Sequence, residues 1–258
     1  MNTYTQNIQT IARYIEESRQ ILIFTGAGIS TESGISDYRS KGGLWDRFQP
    51  VTSQEFMSSP QKRKEYWQTK MELYKSFQTA GPNAGHRAIV TIEKQGKLRG
   101  IVTQNIDGLH QMAGSSPDKI LELHGSNRKT VCLSCGDLRP WPEVYQRLKA
   151  GEGVPLCHFC GGFLKPNTIS FGQALDPAIL NEAFAWSNSC DLILAVGSTL
   201  IVEPAASIPR TAKANGAKLV IITFSDTPLD GIADLKMNCS AGEVLSHALE
   251  NFSAGSAK

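Results

Sequence analysis

Four cysteines at metal-ligand spacing, two histidines that follow strand-like runs, and a glycine-rich turn behind an apolar run are the residues of this 258-residue chain best suited to chemistry. The turn, Gly26-Ala27-Gly28-Ile29-Ser30-Thr31-Glu32-Ser33-Gly34-Ile35-Ser36-Asp37-Tyr38-Arg39, follows Ile21-Leu22-Ile23-Phe24, the composition of a buried parallel strand. Glycines lack a Cβ, so backbone N–H groups and the start of a following helix can approach a pyrophosphate, and the turn reads as a dinucleotide cradle. It departs from the dehydrogenase fingerprint Gly-x-Gly-x-x-Gly. Thr31 stands in the third glycine position, and Asp46, at the distance of a ribose-holding acid, lies in a segment with no strand run before it. On the two glycines alone, a plain strand-to-helix turn is an equal alternative.

Cys132-x-x-Cys135 and Cys157-x-x-Cys160 are separated by residues 136–156, slightly more than the usual ribbon spacing. Each pair is followed by a glycine (Gly136, Gly161), so four thiolates can converge tetrahedrally on one Zn²⁺. A complete four-cysteine shell leaves no position for water, which makes the metal structural; a redox dithiol is the lesser alternative. Cys190 and Cys239 have no such spacing and are expected to be simple buried residues.

These groups need a scaffold, and the pattern of runs supplies one. Ile8, Ile11, Ala12 and Ile15 mark an amphipathic helix, and residues 40–80, with interleaved aromatics and no strand run, read as a helical insertion. Pro82-Asn83 opens another helix, followed by strands at 100–103, 120–123, 192–196 and 217–222, each running into a polar or glycine-containing loop. Alternation of this kind predicts an α/β fold, a Rossmann-like open parallel sheet with helices on both faces, whose ligands sit beyond the carboxyl ends of the strands. Gly26, Gln104, His124, Gly197 and Thr223 are therefore expected to line one cleft.

Composition excludes several classes. Hydrophobic residues make up 41% of the chain, enough for a sizeable core, and 26 Lys+Arg against 24 Asp+Glu give a net charge of +2. No charge run offers a broad grip on nucleic acid or an acidic membrane. Polar residues with Glu16-Glu17 stand where a signal peptide needs an apolar core, and no run reaches membrane-spanning length, so a soluble, cytoplasmic protein is expected.

Taken together, the motifs resemble one family, the sirtuins, NAD-dependent protein lysine deacylases. The resemblance is carried by the Gly26–Arg39 segment, Thr103-Gln104-Asn105-Ile106-Asp107-Gly108-Leu109-His110, Leu121-Glu122-Leu123-His124-Gly125 and the two cysteine pairs. Phe171-Gly172, Gly197-Ser198-Thr199-Leu200 and Thr227-Pro228-Leu229 extend it over nearly the whole chain, in the compact form of bacterial or archaeal members.

The resemblance implies one catalytic unit over 1–258. Residues 1–39, 81–127 and 165–258 would form the NAD-binding domain, and the insertion 40–80 with a zinc ribbon at 128–164 the small domain. It implies that the acyl oxygen of an acyl-lysine peptide attacks C1′ of the nicotinamide ribose, nicotinamide leaves, and the acyl group departs on ADP-ribose. His124 would be the base acting on a ribose hydroxyl, a task that suits imidazole near neutral pH; from residue type alone His110 is an equal candidate. Asn105 and Asp107 would hold the nicotinamide ribose and carboxamide, although both types also simply form turns. NAD contacts are implied for Gly26, Ala27, Gly28, Ser30, Thr31, Asp37, Tyr38, Arg39, Gln104, Ile106, Gly197, Ser198, Thr199 and Thr223, with the bland readings of a solvated charge for Arg39 and an N-cap for Ser198 and Thr199. The peptide would enter as an added strand between 171–172 and 200–202, and Ser33–Arg39 would move when NAD binds.

Some positions depart from the family pattern. Tyr38 replaces Phe, Ser198-Thr199 reverses Thr-Ser, and Thr223 replaces an Asn that holds the adenosine ribose, which predicts weaker NAD binding. Lys165 for Arg and Gln173 for Glu are expected to alter peptide-side electrostatics. Succinyl-preferring members carry a Tyr and, three residues later, an Arg on the insertion. Arg63, the sole Arg between Lys62 and Phe77, has no such Tyr, so the acyl pocket is expected to be apolar and to take acetyl or longer neutral chains. Mono-ADP-ribosyl transfer, a non-catalytic NAD and zinc-ribbon binding module, and hydride transfer are the alternatives, in falling order.

Overall fold

The computed structural model describes residues 3–255, with side chains through 250. In chain order the helices and strands begin with α1 (Thr3–Glu17), β1 (Ile21–Thr25), α2 (Leu44–Arg47), α3 (Ser53–Ser58), α4 (Pro60–Thr79), α5 (Ala84–Lys94), β2 (Leu98–Thr103), α6 (Leu109–Ala113) and β3 (Ile120–Glu122). They continue with β4 (Gly125–Cys132), β5 (Leu138–Pro140), α7 (Trp141–Lys149), β6 (Leu164–Thr168), α8 (Pro177–Ser189), β7 (Leu192–Val196), α9 (Ser207–Ala214), β8 (Lys218–Ile222), β9 (Leu235–Met237) and α10 (Ala241–Gly255).

Six strands form a parallel sheet in the order β3-β2-β1-β7-β8-β9. Because side chains alternate across a strand, Ile21 and Ile23 of β1 pack with α1, α5 and α10 on one face. Leu22 and Phe24 pack with α8 and α9 on the other. The apolar runs read from the sequence are these central strands, buried on both faces as parallel strands must be. The short edge strand β9 and helices α8 and α10 carry no comparable run and were not foreseen.

A second, antiparallel sheet of order β5-β4-β6 spans 125–168 and so crosses the divisions at 127/128 and 164/165 read from the sequence. Cys132 and Leu164 of this sheet and Trp141 and Val144 of α7 share one apolar cluster with Phe56 and Trp67 of the insertion. The insertion is helical as expected, with Thr52 and Glu55 forming a capping box for α3. No helix among the described residues is long and apolar enough to cross a membrane.

The site is positioned where β1 and β7 lie side by side and the strand order reverses, the place where such sheets open a crevice. There the loops after the two strands interlock: Gly26 N–H donates to the Val196 carbonyl at 3.0 Å, and Gly28 N–H to the Gly197 carbonyl at 2.9 Å. The glycines of the cradle thus spend these N–H groups on loop packing rather than presenting them to a ligand. Gly197 has a φ of 64°, and a Cβ there would stand 2.2 Å from the Ile29 nitrogen. Gly197→Ala is expected to cost about 2 kcal/mol or more and to lower the melting temperature by roughly 4 °C or more. A scanning-calorimetry trace superimposable on the parent would contradict this.

Candidate active site

A cleft of about 610 Å³ opens over the carboxyl ends of the large sheet, and Gly26, Gln104, His124, Gly197 and Thr223 all border it, as the strand pattern predicts. The cradle folds as a tight 3-10 turn over Ala27–Ser33. The residue that displaces the third glycine closes it: Thr31 Oγ1 donates to the Gly28 carbonyl at 2.9 Å. Asn83, the N-cap of α5, ties the turn down from behind, its Nδ2 donating to the Ile29 carbonyl at 2.7 Å and to Ser33 Oγ at 3.0 Å.

Ala27, Gly28, Thr31, Asp37, Tyr38, Arg39, Asn105, Ile106, Ser198 and Thr199 also border the cleft, but Ser30 and Asp107 do not. Ser30 is buried behind the wall, donating to Asp107 Oδ2 at 2.8 Å. Asp107 Oδ1 accepts the Leu109 N–H at 2.9 Å, so both carboxylate oxygens are committed inside the protein. Burial raises the Asp107 pKa, against the pull of these hydrogen bonds. The pair positions Asn105, whose Nδ2 donates to the Gly26 carbonyl at 3.1 Å and to Ser30 Oγ at 3.2 Å. With its amide nitrogen taken, Oδ1 is the group Asn105 has left for a ligand.

The two histidines separate cleanly. His110 is 1% exposed, its Nε2 3.0 Å from Thr25 Oγ1 and its ring 4.9 Å from that of His86. Burial, with the neighbouring His86, drives its pKa down to about 3, so it is a neutral core residue. His124 lies half-buried on the cleft wall with Nδ1 2.9 Å from the Gln104 carbonyl. A carbonyl only accepts, so Nδ1 carries the proton and the neutral ring keeps a lone pair on Nε2. Burial lowers the His124 pKa, the Gln104 carbonyl partly opposes this, and the Arg39 charge adds to the lowering.

Over this wall folds the Asp37–Ser40 turn, in which Asp37 Oδ1 accepts the N–H groups of Arg39 and Ser40 at 3.1 and 2.8 Å. Arg39 is more than a solvated charge, because its guanidinium lies 4.1 Å from the centre of the Trp45 ring. Trp45 also contacts Tyr38 and Phe171, linking the turn to the opposite lip. Ser198 is not an N-cap, because the next helix begins only at Ser207; its Oγ instead closes a local turn by accepting the Leu200 N–H at 3.2 Å and also accepts the Gln104 Nε2 donor at 2.8 Å. Phe171, Gly172 and Val202 border the cleft, whereas Leu200 is buried beneath it. Gly172 and Ile201 make no backbone hydrogen bond among the described residues, so their groups are open to an added strand.

Some sequence expectations are corrected. Cys190 and Cys239 are half-buried rather than core residues, and Cys239 borders the cleft. Lys165 does not face a peptide. It is buried, with Nζ donating to the carbonyls of Pro166 and Thr168. Tyr66, Lys70, Trp45 and Phe224 border the cleft but were not singled out in the sequence. The aromatics gave no signal beyond core composition, and Lys70 looks like any charge on a polar helix.

The cysteine pairs meet. All four Sγ atoms lie within 4.8 Å of one another, with Cys132–Cys160 at 3.4 Å and Cys135–Cys157 at 3.7 Å. A tetrahedron with Zn–S bonds of about 2.3 Å has edges near 3.8 Å, so the set fits one zinc ion. The N–H groups of Ser134 and Gly162, each 3.4 Å from a sulfur, favour the thiolate form.

Comparison with known proteins now decides the family, because the Sir2 family matches the chain over residues 26–204. The chain is a member of the Sir2 family. It is 45% identical to an NAD-dependent protein deacetylase of Thermodesulfovibrio yellowstonii over 248 residues, 96% of both chains. It is 39% identical to NAD-dependent protein deacylase 2 of Archaeoglobus fulgidus over 244 residues, covering 94% of this chain and 95% of the relative. Among solved Sir2 structures, one holding a deacetylated p53 peptide and 3′-O-acetyl ADP-ribose superposes with a TM-score of 0.89 at 34% identity, covering 95% of this chain and 98% of the other. Another, from work on the mechanism and regulation of Sir2 enzymes, gives 0.87 at 39% identity, covering 96% and 98%. This Sir2 chain has the Rossmann-like sheet and the four-cysteine cluster that its sequence implied.

Proposed function

We propose that this Sir2-family chain is an NAD-dependent protein lysine deacylase that uses His124 as its general base. The observation that carries the reading is His124 itself, its Nδ1 held 2.9 Å from the Gln104 carbonyl and its ring on the wall of the cleft that the Gly26 and Gly197 loops open. Bound NAD supplies a C1′–nicotinamide bond whose cleavage makes C1′ electrophilic, and it carries the acyl group away as O-acyl-ADP-ribose. Relatives named as NAD-dependent deacetylases and deacylases, and Sir2 structures holding peptides, support that chemistry here.

In this reading Gly26–Thr31, Gly197–Thr199 and Thr223 take the ADP half. Asn105 Oδ1 orients the nicotinamide ribose, with Ser30 and Asp107 as positioning residues. His124 Nε2 draws a proton from a ribose hydroxyl, and Tyr38 and Arg39 cover the site. The peptide pairs with Gly172 and Ile201, and main-chain pairing leaves sequence choice permissive. The insertion and the cysteine sheet, joined through the Phe56–Trp67–Trp141 core, act as the small domain. Incubation with NAD and an acetyl-lysine peptide should release nicotinamide and deacetylated peptide in equal amounts by mass spectrometry. Nicotinamide release with the acetyl group retained would instead indicate ADP-ribosyl transfer, and no NAD consumption a binding module.

Thr223 sits at the carboxyl end of β8 on the cleft wall, a hydroxyl where an amide would offer one more donor and a longer reach. Thr223→Asn is expected to lower the KM for NAD about fivefold, the worth of one hydrogen bond of about 1 kcal/mol, with kcat little changed. An unchanged or higher KM would show that Thr223 is already the fitted residue.

A further inference from the structure

The segment 104–110 carries two groups of the proposed chemistry, Asn105 Oδ1 and the Gln104 carbonyl that holds His124 Nδ1. Three bonds fasten it to the end of β1. Gln104 N–H donates to the Thr25 carbonyl at 2.9 Å, Asn105 Nδ2 donates to the Gly26 carbonyl at 3.1 Å, and His110 Nε2 meets Thr25 Oγ1 at 3.0 Å. The third contact continues inward, because Thr25 Oγ1 donates to Thr103 Oγ1 at 2.8 Å, and Thr103 Oγ1 also accepts the Asn105 N–H at 3.0 Å. With its hydroxyl proton spent on Thr103, Thr25 can only accept from His110, which is therefore the Nε2–H tautomer.

His86, 0% exposed and held by Asn83 through Nδ1 at 3.0 Å, lies against His110 with ring centres 4.9 Å apart and fixes its orientation. His86 Nε2 and His110 Nδ1 are both buried without a hydrogen-bond partner among the described residues. A buried unpaired nitrogen is unfavourable, and an apolar side chain at position 110 would avoid one, so packing alone does not account for the imidazole. What the imidazole supplies is the Nε2 donor on Thr25. We propose that His110 is a positioning residue for the active site: its Nε2–H staples the segment 104–110 to Thr25 and, through Thr103, orients Asn105, so that Asn105 Oδ1 and the Gln104–His124 pair keep their places. This rests on the deacylase reading. His110 does not border the cleft, so it acts on the reaction only through these neighbours. Without the Nε2 donor the Thr25 hydroxyl is free to rotate, and the oxygen that receives the Asn105 N–H loses its fixed partner.

The test uses the full chain with NAD and an acetyl-lysine peptide, followed by mass spectrometry. His110→Leu should lower kcat about tenfold or more, the scale of a small misplacement of reacting groups, with the peptide KM nearly constant. His110→Gln, whose amide offers an N–H near the same place but takes up no proton, should keep most of kcat; a general base would lose as much with Gln as with Leu. Thr25→Val, isosteric but without the hydroxyl, should match His110→Leu, and Thr25→Ser should retain most of kcat. The Thr25→Val/His110→Leu double variant should be no slower than the slower single variant, because both cut one chain of bonds. Independently of turnover, nuclear magnetic resonance of the ¹⁵N-histidine-labelled parent should show His110 as the Nε2–H tautomer, and the Asn105 amide should exchange with deuterium faster in Thr25→Val than in the parent. Parental kcat in folded His110→Leu or Thr25→Val overturns the staple, as do His110→Gln as slow as His110→Leu, losses that multiply in the double variant, or an Nδ1–H tautomer. Should His110→Leu fail to fold by circular dichroism, Thr25→Val and the labelled parent carry the test. If the parent consumes no NAD with any acyl-lysine peptide, the deacylase reading falls, and the tautomer and the Asn105 exchange still decide the staple.

Discussion

His124→Ala is expected to lower kcat for NAD-dependent deacylation by about 10²–10⁴-fold, the usual contribution of a positioned general base, while NAD still binds. The ring is held through Nδ1 by the Gln104 carbonyl, and nothing else on the cleft wall offers a neutral imidazole nitrogen, His110 being buried behind Thr25. The pH profile should carry the same signature. A base acts when deprotonated, and burial, with the Arg39 charge, lowers the His124 pKa against the opposing Gln104 carbonyl. The acid limb of kcat/KM should therefore have its midpoint below the ordinary histidine value of about 6.5, so the rate is already near its plateau at neutral pH. Arg39→Gln should move that midpoint upward, towards the ordinary value. A His124→Ala enzyme with more than a tenth of parental kcat, or an acid limb above pH 7, would remove His124 from the role.

The second large effect belongs to the cysteines. Structural zinc contributes about 10–16 kcal/mol in small zinc-dependent folds, so stripping it should unmake the antiparallel sheet rather than merely loosen it. The consequence reaches the active site because Cys132 and Cys157 belong to the same apolar cluster as Trp67 and Trp141, whose rings stack 5.6 Å apart at 18°. Trp67 lies on α4, which also turns Tyr66 and Lys70 to the cleft. Cys132→Ser, or a strong chelator added to the parent, should abolish the near-ultraviolet circular dichroism of that stack and the deacylase activity together. One zinc per chain should be released. Full activity and an unchanged spectrum after quantitative zinc removal would make the cluster dispensable, and activity that followed reductant rather than zinc would favour the redox reading.

Much of this architecture was legible because its signals are local. The central strands are unbroken apolar runs, since a parallel strand covered on both faces has no polar side to betray its register. The small sheet was not legible. β4 carries Ser126, Asn127, Arg128 and Lys129 in succession, its pairing with β6 shifts register between Ser126 and Thr130, and β6 contains Pro166, so no alternation survives. The cysteines announced themselves by spacing alone, because a tetrahedral metal site needs only ligand type and chain reach.

What the sequence determined by itself is the family, the parallel sheet, the metal set and the group of strand-end residues that border one cleft. All of these follow from short-range pattern. Only the tertiary structure decided which of those residues are free to act. Ser30 and Asp107 turned out to be committed to each other behind the wall, and His110 to the core, leaving Asn105 and His124 at the cleft. The same holds for Lys165. Sequence records a charged residue between an apolar residue and a proline, but that the fold buries it with Nζ on the Pro166 and Thr168 carbonyls depends on what the rest of the chain packs against it, and desolvation is a property of the fold.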